Sequence, residues 1–228
     1  MLFKSVADFH APDSLASRMR RRRFAFFESL AVELPTGAKI LDVGGTPEFW
    51  QDIPLVEEKQ ASVTLLNTES YTETRSDVKL VTGDAREMRC FANREFDVVF
   101  SNSVIEHVGD RADQQRMASE VRRVGQRYFV QTPNRYFPLE PHFHVPFFQF
   151  LPRALRIALV QRFELGWMPR REDYQQAKHE VDQIRLLSVT EMQTLFPDAT
   201  LYREKIGGLT KSVIAYSGWN DRAIMPRA

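Results

Sequence analysis

Short apolar runs alternate with polar stretches through the first half of the chain. The runs are Lys39–Val43, Ser62–Asn67, Val78–Thr82 and Phe96–Ser101, each of strand length. A polar stretch at about Arg111–Val124 carries Met117, Val121 and Val124 at helical spacing, and a fifth apolar run follows at Arg127–Gln131. This β-α-β rhythm predicts a parallel sheet wrapped by helices. Upstream, Asp13 or Ser14 can cap a helix that ends near Leu34, before Pro35-Thr36-Gly37. From Thr132 to about Leu187 the rhythm breaks, with Pro133, Pro138, Pro141, Pro146, Pro152 and Pro169 set among aromatics. It resumes with a short helix at about Thr190–Phe196 and a strand at Thr200–Lys205. The turn Gly207-Gly208 and a strand at Lys211–Tyr216 close the pattern. The last two strands are close enough for an antiparallel hairpin. The expected organisation is one α/β domain over 1–228, with an N-terminal helix at 13–34 and an insertion at 133–187. A structureless loop of that length is improbable in a compact domain, so helices are expected there, Leu155–Phe163 first among them.

Composition narrows the class only a little. In 228 residues, apolar residues make up 43% and charged residues 27%, which is ordinary for a globular protein. A net charge of +1 gives no overall case for nucleic acid or membrane binding. The single cysteine, Cys90, excludes an internal disulfide and a multi-cysteine metal site, and a buried structural thiol is its expected role. No apolar run approaches the ~20 residues of a membrane span, and the expected compartment is the cytoplasm.

The chemistry concentrates at strand ends. Ile40-Leu41-Asp42-Val43-Gly44-Gly45-Thr46 ends an apolar run in an acid and breaks into paired glycines. Such a turn lets a ligand approach the backbone, and a following helix offers unpaired N–H groups. The second run ends at Asn67, where a ribose-reading side chain sits in doubly wound folds, and the third is followed by Gly83-Asp84-Ala85, a short acidic turn able to reach an exocyclic amine. In such sheets these ends line one crevice. A dinucleotide fingerprint would need Gly-x-Gly-x-x-Gly; Thr46 and Phe49 stand at two of its three glycine positions.

With these runs, and with Phe96-Asp97-Val98-Val99-Phe100-Ser101-Asn102-Ser103-Val104-Ile105-Glu106-His107-Val108 and Leu195-Phe196-Pro197-Asp198-Ala199, the chain resembles the class I S-adenosylmethionine-dependent methyltransferases. The likeness covers roughly 36–132 and 188–217. It implies a Rossmann-like, doubly wound seven-stranded sheet of order 3-2-1-4-5-7-6 with strand 7 antiparallel, and S-adenosylmethionine as cofactor. Carried over by position, it sets Gly44 and Gly45 under the methionine part, with Asp42 and Thr46 in the same loop. Asp84 would face the adenine amine with the Ala85 backbone beside it, and Ser101 and Asn102 would face the sulfonium. Asn67 stands where the family usually has an acid accepting both ribose hydroxyls. Thr46 and Glu48 replace further glycines.

Methyl transfer needs alignment and, for a hydroxyl or amine acceptor, removal of a proton. Glu106-His107 follow the fourth run. His107 could serve as base or could pack the next helix start, and Glu106 could be a helix N-terminal charge. The insertion offers Asn134, Arg135, Tyr136, Glu140, His142 and His144. In an extended segment His142 and His144 would share one side. With Glu140 that spacing could hold a metal, but structural zinc takes four ligands and no cysteine is near, so none is expected. The reading is methyl transfer, to oxygen or nitrogen, on a small-molecule, glycan or lipid-glycan acceptor, with His107, Glu106 and His142 as catalytic candidates. The alternative is a non-catalytic cofactor-binding or scaffolding domain. The aromatic first half of the insertion reads as a lid, or as an apolar pocket, dimer contact or peripheral membrane contact. Arg18 and Arg20–Arg23 read as solvated surface, or as a patch for anionic lipid or a phosphorylated substrate. RNA is not expected, since no recognised RNA module accompanies this local charge.

Overall fold

The structure, a computed structural model, describes residues 15–51, 53–70 and 78–219. Strands β1 (Lys39–Val43), β2 (Ser62–Asn67), β3 (Val78–Thr82), β4 (Val98–Asn102), β5 (Tyr128–Pro133), β6 (Thr200–Ile206) and β7 (Leu209–Ser217) form one sheet. Its order is β3-β2-β1-β4-β5-β7-β6. The first five strands are parallel and β7 is antiparallel to both neighbours. Gly207 and Gly208, at φ +54° and +82°, give the two-residue hairpin turn between β6 and β7, where a side chain would be strained.

Both faces of the sheet are buried, which explains the near-continuous apolar runs. On one face Leu41, Val43, Val99 and Val130 pack against Met117, Ala118, Val121 and Val124 of α3 (Arg111–Val124) and against Met192 and Leu195 of α6 (Val189–Leu195). On the other, Ile40, Leu65, Val98, Phe100 and Phe129 meet Phe26, Phe27 and Leu30 of α1 (Leu15–Ala31). Asp110 and Ser188 each close a capping box, with Asp113 and Glu191, satisfying helix N–H groups that would otherwise lack partners. The expected cap at Asp13 or Ser14 lies outside the described residues.

The glycine turn after β1 leads into a single 3-10 turn, Pro47–Trp50, and then the short helix α2, Pro54–Glu58. The helix expected directly after the turn is thus divided into these two short pieces. Pro54 has no N–H and its ring would clash inside a helix begun at Pro47, and Trp50 turns inward. The Trp50 indole donates to Asp42 Oδ2 at 2.7 Å, and Phe49 stacks on Phe100 with ring centroids 5.7 Å apart. Cys90, expected to be buried, is exposed.

Residues 133–187 hold two helices, α4 (Arg153–Arg162) and α5 (Tyr174–Asp182). They enclose a small core of Phe143, Phe148, Ile157, Val160, Ala177 and Val181. Tyr136, Phe147, Phe150 and Phe163 stay exposed, so the aromatic stretch divides between this core and the surface. Among the described residues no helix is long and apolar enough to cross a membrane.

Burial lifts the Asp42 carboxyl to about 7, against the lowering effect of its Trp50 hydrogen bond. Asp42 therefore stays protonated in the folded chain over a range where the unfolded chain has ionised it. From about pH 4 to pH 7 the unfolded state binds fewer protons, so this residue makes stability fall as pH rises, by up to about 1.4 kcal/mol per unit. The buried Glu106 carboxyl, also raised by burial, acts in the same direction. Asp42→Asn is expected to flatten this slope in part, and urea melts of parent and variant across that range check it.

Candidate functional site

The C-terminal ends of β1 to β4 open into a cavity of about 390 Å³. It is lined by Val43 and Gly44, by the apolar Leu66, Ala85, Val104 and Val108, and by the polar Asn67, Thr68, Asp84, Arg86, Ser103 and His107. Apolar walls beside an acceptor carboxylate suit a purine with an exocyclic amine. The backbone is shaped for close approach. Gly44 sits at φ +78°, and a Cβ there would lie 2.5 Å from Val104 Cγ2; one on Gly45 would lie 1.7 Å from Asp42 Oδ2. Asp42 thus supports the turn from beneath. A smaller cavity of about 150 Å³ continues past Gly44, lined by Arg20, Asp42, Gly45, Thr46 and Asn102. Arg20 is the cation in that lining.

Asp84 is held by Arg86. The Arg86 guanidinium donates to both carboxylate oxygens at 2.6–2.9 Å and its backbone N–H to Oδ1 at 2.8 Å. The Arg86 hydrogen bond holds the Asp84 carboxyl below the usual range, so it is ionised and fixed in direction. Asn67 has a use for its amide that an acid could not serve. Its Nδ2 donates to the Gly45 carbonyl at 3.2 Å, tying β2 to the glycine turn, and its Oδ1 accepts from Thr68 N–H. Glu69, a candidate substitute for ribose contact, is exposed.

Of the two residues expected to face the sulfonium, Asn102 lines the smaller cavity and Ser101 lines none of these cavities. Ser101 is fully buried and its hydroxyl donates to the Val43 carbonyl at 3.3 Å, so it links β4 to β1 inside the sheet. Ser103, at φ +57°, lines both the cofactor-sized cavity and a third cavity of about 250 Å³ beneath the insertion. Asn102 lines this third cavity too. Ser103 is thus a residue that the two cavities share.

His107 and His142 meet beside this junction. Their Nε2 atoms are 3.1 Å apart, and His142 Nδ1 lies 2.7 Å from Glu140 Oε1. Glu140 Oε2 also accepts the backbone N–H groups of His142 and Phe143 at 2.8 and 2.6 Å. The 141–143 segment is therefore a turn folded around Glu140, and the expected extended arrangement is absent. His144 instead faces Trp167, ring centroids 5.4 Å apart. Burial alone would lower His142, but the Glu140 hydrogen bond and charge outweigh it and hold it above the ordinary imidazole value. Desolvation and the His142 ring push His107 the other way.

Glu106 is no helix-terminal charge, since Asp110 caps α3. It is buried behind the histidines, Oε2 accepting from Thr132 Oγ1 at 2.9 Å and Oε1 without a hydrogen-bond partner. Ligand atoms of Glu106, His107 and His142 lie within 4.8 Å of one another. These are the described groups that could hold a cation, a set different from the Glu140, His142 and His144 of the sequence. Another cavity, about 520 Å³, lies between the insertion and the start of α3, lined by Arg135, Glu140, Arg156 and Arg185 among others; no β1–β4 residue borders it.

A protein-family model described as a methyltransferase domain matches residues 55–127. Over these residues the chain is similar to methyltransferase domains. The sheet order and the strand-end cavity agree with this similarity. Uncharacterized protein Rv1509 of Mycobacterium tuberculosis is 31% identical over 160 residues, covering 64% of this chain and 54% of that protein; the chain spans about half the length of the curated relatives it matches. Two solved structures share the fold. An S-adenosylmethionine-dependent methyltransferase of Methanosarcina mazei superposes with a TM-score of 0.52 at 14% identity, over 80% of this chain and 92% of that one. A phosphoethanolamine N-methyltransferase of Haemonchus contortus, in complex with S-adenosylmethionine, gives 0.51 at 14% identity, over 80% and 38%.

Sequence reading missed Ser103, Arg86 and Arg23 in this domain. Arg23 was legible in principle, because spacings of three, four and seven put it on the face of Phe26, Phe27 and Leu30. Asp84→Ala is expected to weaken S-adenosylmethionine binding about tenfold to a hundredfold, the loss of one charged hydrogen bond. Calorimetric titration checks this, and an unchanged affinity would remove Asp84 from the site.

Proposed function

We propose that the chain transfers a methyl group from S-adenosylmethionine to a hydroxyl or amine of a small-molecule or glycan acceptor, the proton leaving to the His107–His142 pair. The observation that carries this reading is the placement of that pair, backed by Glu140, beside the point where the two cavities share Ser103. Bound S-adenosylmethionine supplies an electrophilic methyl on a sulfonium. Arg20, Gly44, Gly45 and Asn102 orient the methionine end from the smaller cavity, with Thr46 at its rim, while Asp84 and Ala85 hold the adenine end. Alignment of this kind is the larger part of catalysis for an already activated carbon.

Two imidazoles 3.1 Å apart titrate as a pair. Glu140 accepts the His142 Nδ1 proton, which leaves the two Nε2 atoms to share the next one. While that shared proton is in place the pair cannot readily take another; once it is lost at higher pH, a lone pair is free for the acceptor. Turnover on a hydroxyl acceptor is therefore expected to rise with pH through a value above the ordinary imidazole pKa of about 6.5. Glu140→Gln, which removes the opposing charge, is expected to shift that rise to lower pH. His142→Ala is expected to lower kcat by about 10²–10⁴-fold with S-adenosylmethionine affinity retained, since His142 does not line the cofactor cavity. Acceptor screening followed by pH–rate profiles of the three proteins checks both, and full activity of His142→Ala would refute the proton-accepting role.

A further inference from the structure

The third cavity, about 250 Å³ beneath the insertion, differs from the cofactor cavity in the chemistry it presents. Its depth is organised by Arg23, which is 8% exposed. The guanidinium donates through Nε and Nη2 to Glu204 Oε2 at 3.0 and 2.7 Å. Its Nη1 donates to Asn102 Oδ1 at 2.6 Å and Gln131 Oε1 at 3.0 Å. An arginine only donates, so it fixes which way both amides point: their oxygens face Arg23, and the Ser103 hydroxyl donates to the same Gln131 oxygen at 2.9 Å. Asn102 Nδ2 and Gln131 Nε2 are then left as donors, and neither has a protein partner among the described residues.

Lys211 adds a charge. It lines the same cavity from the start of β7, and its ammonium makes no hydrogen bond or ion pair among the described residues. The nearby carboxylate, Glu204, is already engaged by Arg23 and by the Ser212 hydroxyl. The cavity lining contains Arg20, Arg23 and Lys211 and no acidic side chain. Lys211 is half-buried, and a bound anion would give its ammonium a charged partner. Burial and the Arg23 charge lower the Lys211 pKa to about 8, against the attraction of Glu204. Phe137, Leu139 and Trp167 supply the opposing apolar wall.

We propose that this cavity binds an anionic group of the methyl acceptor, a phosphate or carboxylate, through Lys211 and the Asn102 and Gln131 amide nitrogens, with Phe137 and Trp167 against the apolar remainder of the molecule. The proposal rests on the methyl-transfer reading for its word acceptor, and on the cavity alone for its anion.

Phenyl phosphate, benzoate, neutral benzyl alcohol and inorganic phosphate are the probes, titrated into the full chain with and without S-adenosylhomocysteine. The expected result is that phenyl phosphate or benzoate binds at least tenfold more tightly than benzyl alcohol; the stronger of the two names the anion. Lys211→Met is expected to abolish the preference and Lys211→Arg to keep it, both binding S-adenosylhomocysteine like the parent, which shows that they fold. The preference is expected to weaken above about pH 8, as Lys211 loses its proton among Arg20 and Arg23 of α1, Glu204 of β6 and His142 of the insertion. Equal affinities for charged and neutral probes, or a preference that survives in Lys211→Met, would overturn the proposal. Inorganic phosphate binding as tightly as phenyl phosphate would overturn the part given to Phe137 and Trp167. Anion preference without S-adenosylhomocysteine binding would instead sink the methyl-transfer reading and leave the anion site standing.

Discussion

The buried ion pair between Arg23 and Glu204 is the constraint on which the acceptor side of this structure depends. It joins α1 to β6, and through the Asn102 and Gln131 amides it reaches the ends of β4 and β5. Such a pair repays its desolvation only when the remaining hydrogen-bonding capacity is also satisfied. Here Ser212 takes up the Glu204 oxygen and the two amides take up Nη1. The pair therefore contributes orientation more than stability. Without it neither amide would have a preferred face, and α1 would lose its polar tie to the far edge of the sheet.

A second constraint sets the cofactor side. Asp42 sits inside the sheet with Trp50 as its hydrogen-bond partner, and the glycine turn runs directly over its carboxylate. Any side chain at Gly45 would collide with it. The turn is thus held down from below by an acid and an indole, and held sideways by the Asn67 amide on the Gly45 carbonyl. In this chain the missing glycines and the divided helix are offset by those three side chains.

The fold was legible wherever local pattern and burial agree. β1, β2, β3 and α3 fall where the apolar runs and helical spacing put them, because both faces of the parallel sheet are covered and each strand reads as a run. The candidate site was legible where it lies on those strand ends, at Gly44, Asn67 and Asp84. It was less so one residue beyond, where Ser103 rather than Ser101 borders both cavities; a strand's last inward residue is set by register with β5 (Asn102 opposite Gln131), which sequence does not show. The inward turn of Arg23 and the fold of 141–143 around Glu140 needed tertiary partners 181 residues away for the first and a carboxylate inside the turn for the second. Cys90 was misjudged because a small thiol is usually buried, and nothing local signals the exposed turn it occupies.

The separate core of the insertion has an evolutionary consequence. Phe143, Phe148, Ile157, Val160, Ala177 and Val181 pack on one another, while the sheet keeps its own two cores. Substitutions in the small core change the stability of the cap without opening voids beside the glycine turn or under Asp84. The cap can therefore be reshaped by substitution while the two cores that carry the strand-end cavity keep their packing.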